Sequence, residues 1–185
     1  MAKFPRAVWL VPSALAALPA YHTARAVQYM SVDEAQRVAF GNASEFVPVA
    51  PTRADLDAAL TAVPESAIGA AWSPKIWRAR AGSDTLGWVI VDQVIGKAEA
   101  ITFALALDAK GEISNLDILE YRETHGGEVR LAPWRKQFKG KSAHDPLRLD
   151  ADIRNISGAT LSCRHVTDGV RRLVALYEHA LKASG

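Results

Sequence analysis

The sequence predicts an α+β fold: a twisted antiparallel sheet packed against helices, with a Ser-Gly-Ala-Thr loop leading into a long C-terminal helix. Three observations carry this. Ile101, Phe103, Leu105 and Leu107 alternate with Ala100, Thr102, Ala104 and Ala106, the two-residue period of a strand with its larger side chains on one face. Asp108-Ala109-Lys110-Gly111 follows as a hairpin turn, and hairpin-linked strands run antiparallel. Near the C-terminus Val166, Val170, Leu173, Val174, Tyr177 and Leu181 recur at helical steps, which places them on one helical face.

The chain opens on a segment that reads as an address label. Lys3 and Arg6 make a positive start, Ala7 to Ala20 is mostly apolar and uncharged, and Ala24-Arg25-Ala26 fits an A-x-A cleavage site. Residues 1–26 are therefore expected to be a signal peptide; the competing reading is an uncleaved membrane anchor. The apolar run is short for a bilayer span, and Pro12 and Pro19 interrupt it. Removing the segment changes the charge balance. The 22 Lys+Arg and 20 Asp+Glu become 19 and 20, a net −1, because Lys3, Arg6 and Arg25 leave and no acid does. A mature chain so balanced has no global drive toward nucleic acid. Cys163 is the only cysteine, so no internal disulfide, haem-attachment motif or cysteine zinc pattern exists. It is expected to be a small packing residue on the first turn of the last helix.

Residues 27–75 read as an N-terminal helical segment packed on the domain that follows. Ser31-Val32-Asp33-Glu34 is a capping box for a helix reaching about Phe40, with Gly41-Asn42 ending it. Thr52 is placed to cap a second helix carrying Leu56 and Leu60, and Pro64 stops it. Strands occupy the start of the 76–185 domain. Residues 76–81 are extended, Gly82-Ser83-Asp84 turns the chain, and Leu86 to Ile95 is a buried strand rich in valine and isoleucine. Gly96-Lys97 breaks it. After the hairpin, Ile113, Leu116, Ile118 and Tyr121 continue in a further strand with a bulge expected near Ser114-Asn115.

Two loops are candidates for chemistry. Glu123-Thr124-His125-Gly126-Gly127 sets two glycines beside polar side chains, a backbone against which a flat ligand could lie; the plainer alternative is a solvated turn. No second histidine stands at ligand spacing from His125, so it is not read as a metal ligand. Ile156-Ser157-Gly158-Ala159-Thr160-Leu161-Ser162 brings small residues and hydroxyls to the mouth of the last helix. Unpaired amides and the helix dipole attract an anion there, and small side chains let it come close. The plainer alternative is that Ser157 or Thr160 is simply an N-cap. Between the two loops, Trp134, Arg135, Lys136, Phe138, Lys139 and Lys141 form a basic segment. Its aromatics are expected in the core and its cations in solvent, with a docking patch for an acidic redox partner as the lesser option.

Read together, the order of parts resembles the FMN-binding domain of exported flavoproteins. The order is Val94-Ile95-Gly96-Lys97, the Ile-Thr strand, the D-x-x-G-x-I hairpin, Glu-Thr-x-Gly, Gln137 to Lys141, S-G-A-T-x-S, and a helix holding Val170-Arg171-Arg172-Leu173. That family includes the flavin subunits of sodium-pumping and Rnf-type oxidoreductases, and the likeness spans about residues 76–176. It implies an FMN cofactor, attached through its phosphate to Thr160 by a separate flavin transferase. Ser157, Gly158, Ala159, Leu161 and Ser162 would hold the phosphate and ribityl chain, and Glu123, Thr124, His125, Gly126 and Gly127 would lie near the ring. It further implies a periplasmic or exported protein passing electrons between a membrane donor and a periplasmic redox acceptor. Three positions depart from the family pattern. Arg154 stands where an acid is frequent, with Asp152 further back; His125 replaces a common proline; Cys163 replaces a small hydroxyl residue.

Other functions compete with this one. They are a noncovalent flavin-binding or sensory module, a flavin-free accessory subunit, a flavin reductase, and a hydrolase using Ser162 or Thr160 with His165. The hydrolase lacks a G-x-S-x-G elbow and an evident orienting acid. Nothing resembles a substrate pocket with an acid/base pair, so electron transfer is the expected role.

Overall fold

The computed structural model describes residues 27–63 and 72–184. The expected signal segment and the stop at Pro64 lie outside them. A six-stranded antiparallel sheet is ordered β1-β6-β5-β4-β3-β2. Its strands are β1 (Val27–Gln28), β2 (Glu45–Val49), β3 (Lys75–Ala81), β4 (Asp84–Ile95), β5 (Ala100–Asp108) and β6 (Ile113–Tyr121). The helices are α1 (Val32–Ala39), α2 (Arg53–Ala62), the short α3 (Ala132–Arg135) and α4 (Thr160–Leu176), which runs on as a π-helical turn through Leu181.

The central strands follow the expected period. On β5, Ile101, Phe103, Leu105 and Leu107 enter the main core with Val166, Val170, Leu173 and Val174 of α4. Each such side chain contributes about 1.5–3 kcal/mol on leaving water, which fixes α4 to this face. Ala104 and Ala106 face the other way and belong to smaller clusters: Ala104 with Ala35 of α1, and Ala106 with Phe40, the C-cap residue of α1. Small residues on that face leave room for a helix. The register between β5 and β6 shifts where Ala106 and Leu107 pair with Asn115 and Ile113, so Ser114 is the expected bulge.

Both capping boxes form. Ser31 and Thr52 accept from the amides of Glu34 and Asp55, whose carboxylates bond back to the cap amides. The stretch 27–75 is nevertheless more than helical. β2 lies on β3 with Phe46 opposite Ala79, and β1 lies on β6 with Val27 opposite Tyr121, so this part of the chain supplies both sheet edges. It also reaches both faces, with α1 on one and Leu56 and Ala59 of α2 in the main core on the other. One polar pair sits inside that core. Arg172 Nη2 of α4 bonds Asp92 Oδ2 of β4 at 2.6 Å, and the Trp72 indole N–H donates to both Asp92 oxygens at 3.1 Å. The Arg172 and Asp92 side chains are 1% and 6% exposed.

Candidate functional site

Helix α4 begins bare. Its N-cap is Ala159, and no side chain caps it, so neither Ser157 nor Thr160 plays the N-cap role that the sequence left open. Cys163 N donates to Ala159 O at 2.9 Å, and the amides of Thr160, Leu161 and Ser162 precede that bond. Gly158 has φ +87°, and nothing lies within 4 Å of where a Cβ would stand. The approach to the helix end is open through that glycine. Thr160 is half-buried; its Oγ1 accepts from Asn155 Nδ2 at 3.1 Å, while Asn155 Oδ1 accepts from Ile156 N at 2.8 Å. Leu161 is exposed and Ser162 is buried.

Ser162 joins this loop to the other one. Tyr121 Oη donates to His125 O at 2.5 Å and lies 2.9 Å from Ser162 Oγ. A phenol has one hydrogen, so Ser162 is the donor in the second bond. Burial raises the Tyr121 pKa, with Glu123 and Glu128 adding to it against the Ser162 bond, which keeps the phenol protonated. Gly126 has φ +83°, and a Cβ there would come 2.9 Å from both Ser162 Oγ and Tyr121 Oη. Only glycine fits that conformation and that gap.

Glu123 has a different employment. Its Oε1 accepts from Ala98 N at 2.6 Å and Glu99 N at 2.8 Å, holding the β4–β5 connection. Burial alone would raise its pKa, but the amides of Glu99, Ala98 and Lys97 outweigh burial and hold the carboxyl below its ordinary range. His165 Nδ1 lies 2.9 Å from Gly96 O. Among the described residues no hydrogen bond joins His165 to Ser162 or Thr160; Ser162 bonds Tyr121 and Thr160 bonds Asn155. Cys163 is fully buried, with burial raising its thiol pKa, as a packing residue should be.

The basic segment positions the motif. Trp134 and Phe138 are buried in edge-to-face contact at 5.1 Å. Trp134 Nε1 donates to Arg154 O at 2.8 Å, Gln137 Oε1 accepts from Arg154 N at 2.8 Å, and Lys141 pairs with Asp152 at 2.9 Å. These bonds fix the chain just before Asn155. Asp152 also accepts from Leu147 N and Arg148 N.

The sequence-named loops meet at one cleft of about 640 Å³. It is lined by Gly158, by the loop from Glu123 to Glu128, and by Tyr121, Tyr29 and Arg130. Its volume suits a cofactor-sized ligand. Ser157, Ala159, Thr160, Leu161 and Ser162 adjoin Gly158 in sequence without lining the cleft themselves. A second hollow of about 600 Å³ is lined by Trp134, Gln137, Lys141, Arg154 and Asn155, among others, and touches only the approach to the motif. Tyr29, Tyr121, Arg130 and Asn155 were not legible as site residues; a tyrosine two residues before a polar loop and an asparagine five before the threonine carry no signal of their own. Among the described residues, no group of three His, Cys, Asp or Glu could hold a metal ion, and no helix is long and apolar enough to cross a membrane.

The arrangement defines a class: a small α+β domain offering an anionic, flat cofactor bare helix amides and a glycine-lined cleft. Comparison with known proteins agrees. Residues 96–175 match the family model of the FMN-binding domain. The chain is 25% identical over 118 residues to a subunit of the Na(+)-translocating ferredoxin:NAD(+) oxidoreductase complex of Acetobacterium woodii, covering 58% of this chain and 57% of that one. It is 29% identical over 106 residues to a subunit of the proton-translocating ferredoxin:NAD(+) oxidoreductase complex of Clostridium ljungdahlii, covering 53% and 57%. The chain thus spans a little over half the length of these curated relatives. The crystal structure of Shewanella oneidensis NqrC shares the fold, with a TM-score of 0.52 at 15% identity over 77% of this chain and 84% of that one. The cofactor is FMN. An FMN phosphate would find uncapped amides and the open side of Gly158, and its ring a cleft lined by Gly126 and Gly127.

Proposed function

We propose that this chain is an electron-carrying flavoprotein that holds FMN as a phosphoester on Thr160. The observation that supports it best is the bare start of α4, with a half-buried hydroxyl held by Asn155 beside it. An anion bound there meets unpaired amides and the positive end of the helix dipole. Gly158, Ala159, Leu161 and Ser162 would hold the phosphate and ribityl chain, with Ser157 before them and Arg164 exposed on the first turn. Thr124, His125, Gly126 and Gly127 would lie along the ring, and Glu123 would support them by fixing the neighbouring turn. When bound, FMN supplies the capacity to take up and release electrons; the protein supplies binding, orientation and tuning. The relatives' names, subunits of ferredoxin:NAD(+) oxidoreductase complexes, support electron transfer between partners rather than turnover of a small substrate.

The donor in this reading is a membrane redox protein and the acceptor a periplasmic one, with residues 1–26 directing export or retained as an anchor. Co-expression with a flavin transferase, acid denaturation and intact-mass measurement test the attachment. The expected gain is one FMN less one water, absent in Thr160→Ala; unmodified wild-type protein refutes it. A second reading, FMN bound without a covalent bond, is favoured by the exposed Arg154 where the family often has an acid. Yellow colour released by acid would establish it.

A further inference from the structure

Tyr29 and Arg130 are far apart in sequence and meet at the cleft. Arg130 Cζ lies 4.4 Å over the centroid of the Tyr29 ring. Its Nε donates to Gly127 O at 2.8 Å, and its carbonyl accepts from Arg135 Nε at 2.8 Å. The Tyr29 amide donates to Leu119 O at 2.9 Å, so the ring is carried on the sheet edge. Both side chains are exposed, Tyr29 at 42%. An exposed arginine normally samples many rotamers, and fixing it costs entropy. Here a stacking contact and a bond to a loop carbonyl hold it in one place. Among the described residues no carboxylate pairs with it. The result is a flat, fixed cation, bonded to no carboxylate, at the rim of a cleft that Gly126, Gly158, Glu123 and Glu128 also line.

We propose that Tyr29 and Arg130 contact the flavin ring, with Tyr29 packing against it and Arg130 donating to its pyrimidine edge. This rests on the reading that the cleft takes FMN. The N1–C2 carbonyl edge of an isoalloxazine accepts hydrogen bonds and gains negative charge on reduction. A guanidinium there favours the reduced ring over the oxidised one, which is how a protein charge tunes a flavin. An aromatic side chain can stack on the ring in either redox state.

The test uses the full chain purified without transferase. Oxidised FMN is titrated and followed by flavin fluorescence, then dithionite-reduced FMN is titrated anaerobically and followed by absorbance. Tyr29→Ala should weaken both states about tenfold, and Tyr29→Phe should leave both near wild type. Arg130→Gln, which keeps the stem and removes the charge, should weaken reduced FMN about tenfold and oxidised FMN about threefold or less. Melting of the free protein should fall by only a few degrees, since both residues are exposed and lose one stacking contact or one hydrogen bond. If wild type binds FMN and the variants match it in both states, this inference fails and the cleft reading survives. If wild type binds neither state, the cleft reading fails and takes this inference with it.

Discussion

Asn155 Nδ2 donates to Thr160 Oγ1 at 3.1 Å, so the hydroxyl oxygen of the motif is held by a residue five positions earlier. Asn155 is itself fixed, because its Oδ1 takes the Ile156 amide. A neutral hydrogen bond of this kind is worth about 0.5–1.5 kcal/mol. Asn155→Ala should therefore slow flavin transfer to Thr160 about twofold to tenfold while leaving the final mass gain unchanged. A time course of intact mass with purified transferase checks this.

Gly126 should not tolerate a side chain. Its left-handed φ disfavours other residues, and the added Cβ would press on Ser162 Oγ and Tyr121 Oη at 2.9 Å. Gly126→Ala should cost about 1–3 kcal/mol in urea denaturation. It should also weaken FMN binding more than a Thr124→Ala change in the same exposed loop.

The Asp92–Arg172 pair tests how the core holds α4. Removing one partner leaves an uncompensated buried charge, so Arg172→Met should destabilise the fold by about 3–5 kcal/mol. Replacing both, as Asp92→Leu with Arg172→Met, should recover only part of that loss, because the Trp72 indole N–H is left without its acceptor. Chemical denaturation of the single and double variants measures the difference.

Acid should loosen the fold through four identifiable carboxylates. Bonds from Ser31 and Thr52 lower the pKa values of Glu34 and Asp55 in the capping boxes. Burial works against Glu123 and Asp152, but it is outweighed by amides at Glu123 and by the Arg148 amide, Lys141 and the Leu147 amide together at Asp152. A depressed folded pKa contributes stability above the ordinary value, 4.5 for Glu123 and 3.8 for Asp152, and that stability is lost as pH falls through the lowered value. The melting temperature should hold on the neutral side and fall below about pH 4.5. Glu123→Gln should start lower and show a shallower fall.

Much of this fold was written in local patterns. The alternation on β5, the hairpin at Asp108–Gly111 and the apolar stripe on α4 each need only neighbouring residues to be read. The two edge strands did not announce themselves. β2 is Glu-Phe-Val-Pro-Val, with a proline tolerated because one side of an edge strand makes no ladder bonds, and β1 is two residues long. Their existence depends on partners 27 to 35 and 92 to 94 positions away. The site divides the same way. The small residues of the S-G-A-T loop and the paired glycines speak for themselves. The duty of Glu123 toward the Gly96–Glu99 turn and the meeting of Tyr29 with Arg130 exist only after folding.

Helix α4 has two jobs at its two ends. Thr160 opens it two residues after the cleft-lining Gly158, while Tyr177, one residue past its end, stacks edge-on against Trp88 at 5.2 Å and bonds the Ala109 carbonyl of the distant hairpin at 3.1 Å. Seventeen residues span about 25 Å between them. Damage at the hairpin should therefore be felt along a stiff rod at the place where the proposed function moors the cofactor. A dye tethered at Thr160 would register melting of the far end as a gain in its own rotational freedom, making the molecule its own gauge of integrity.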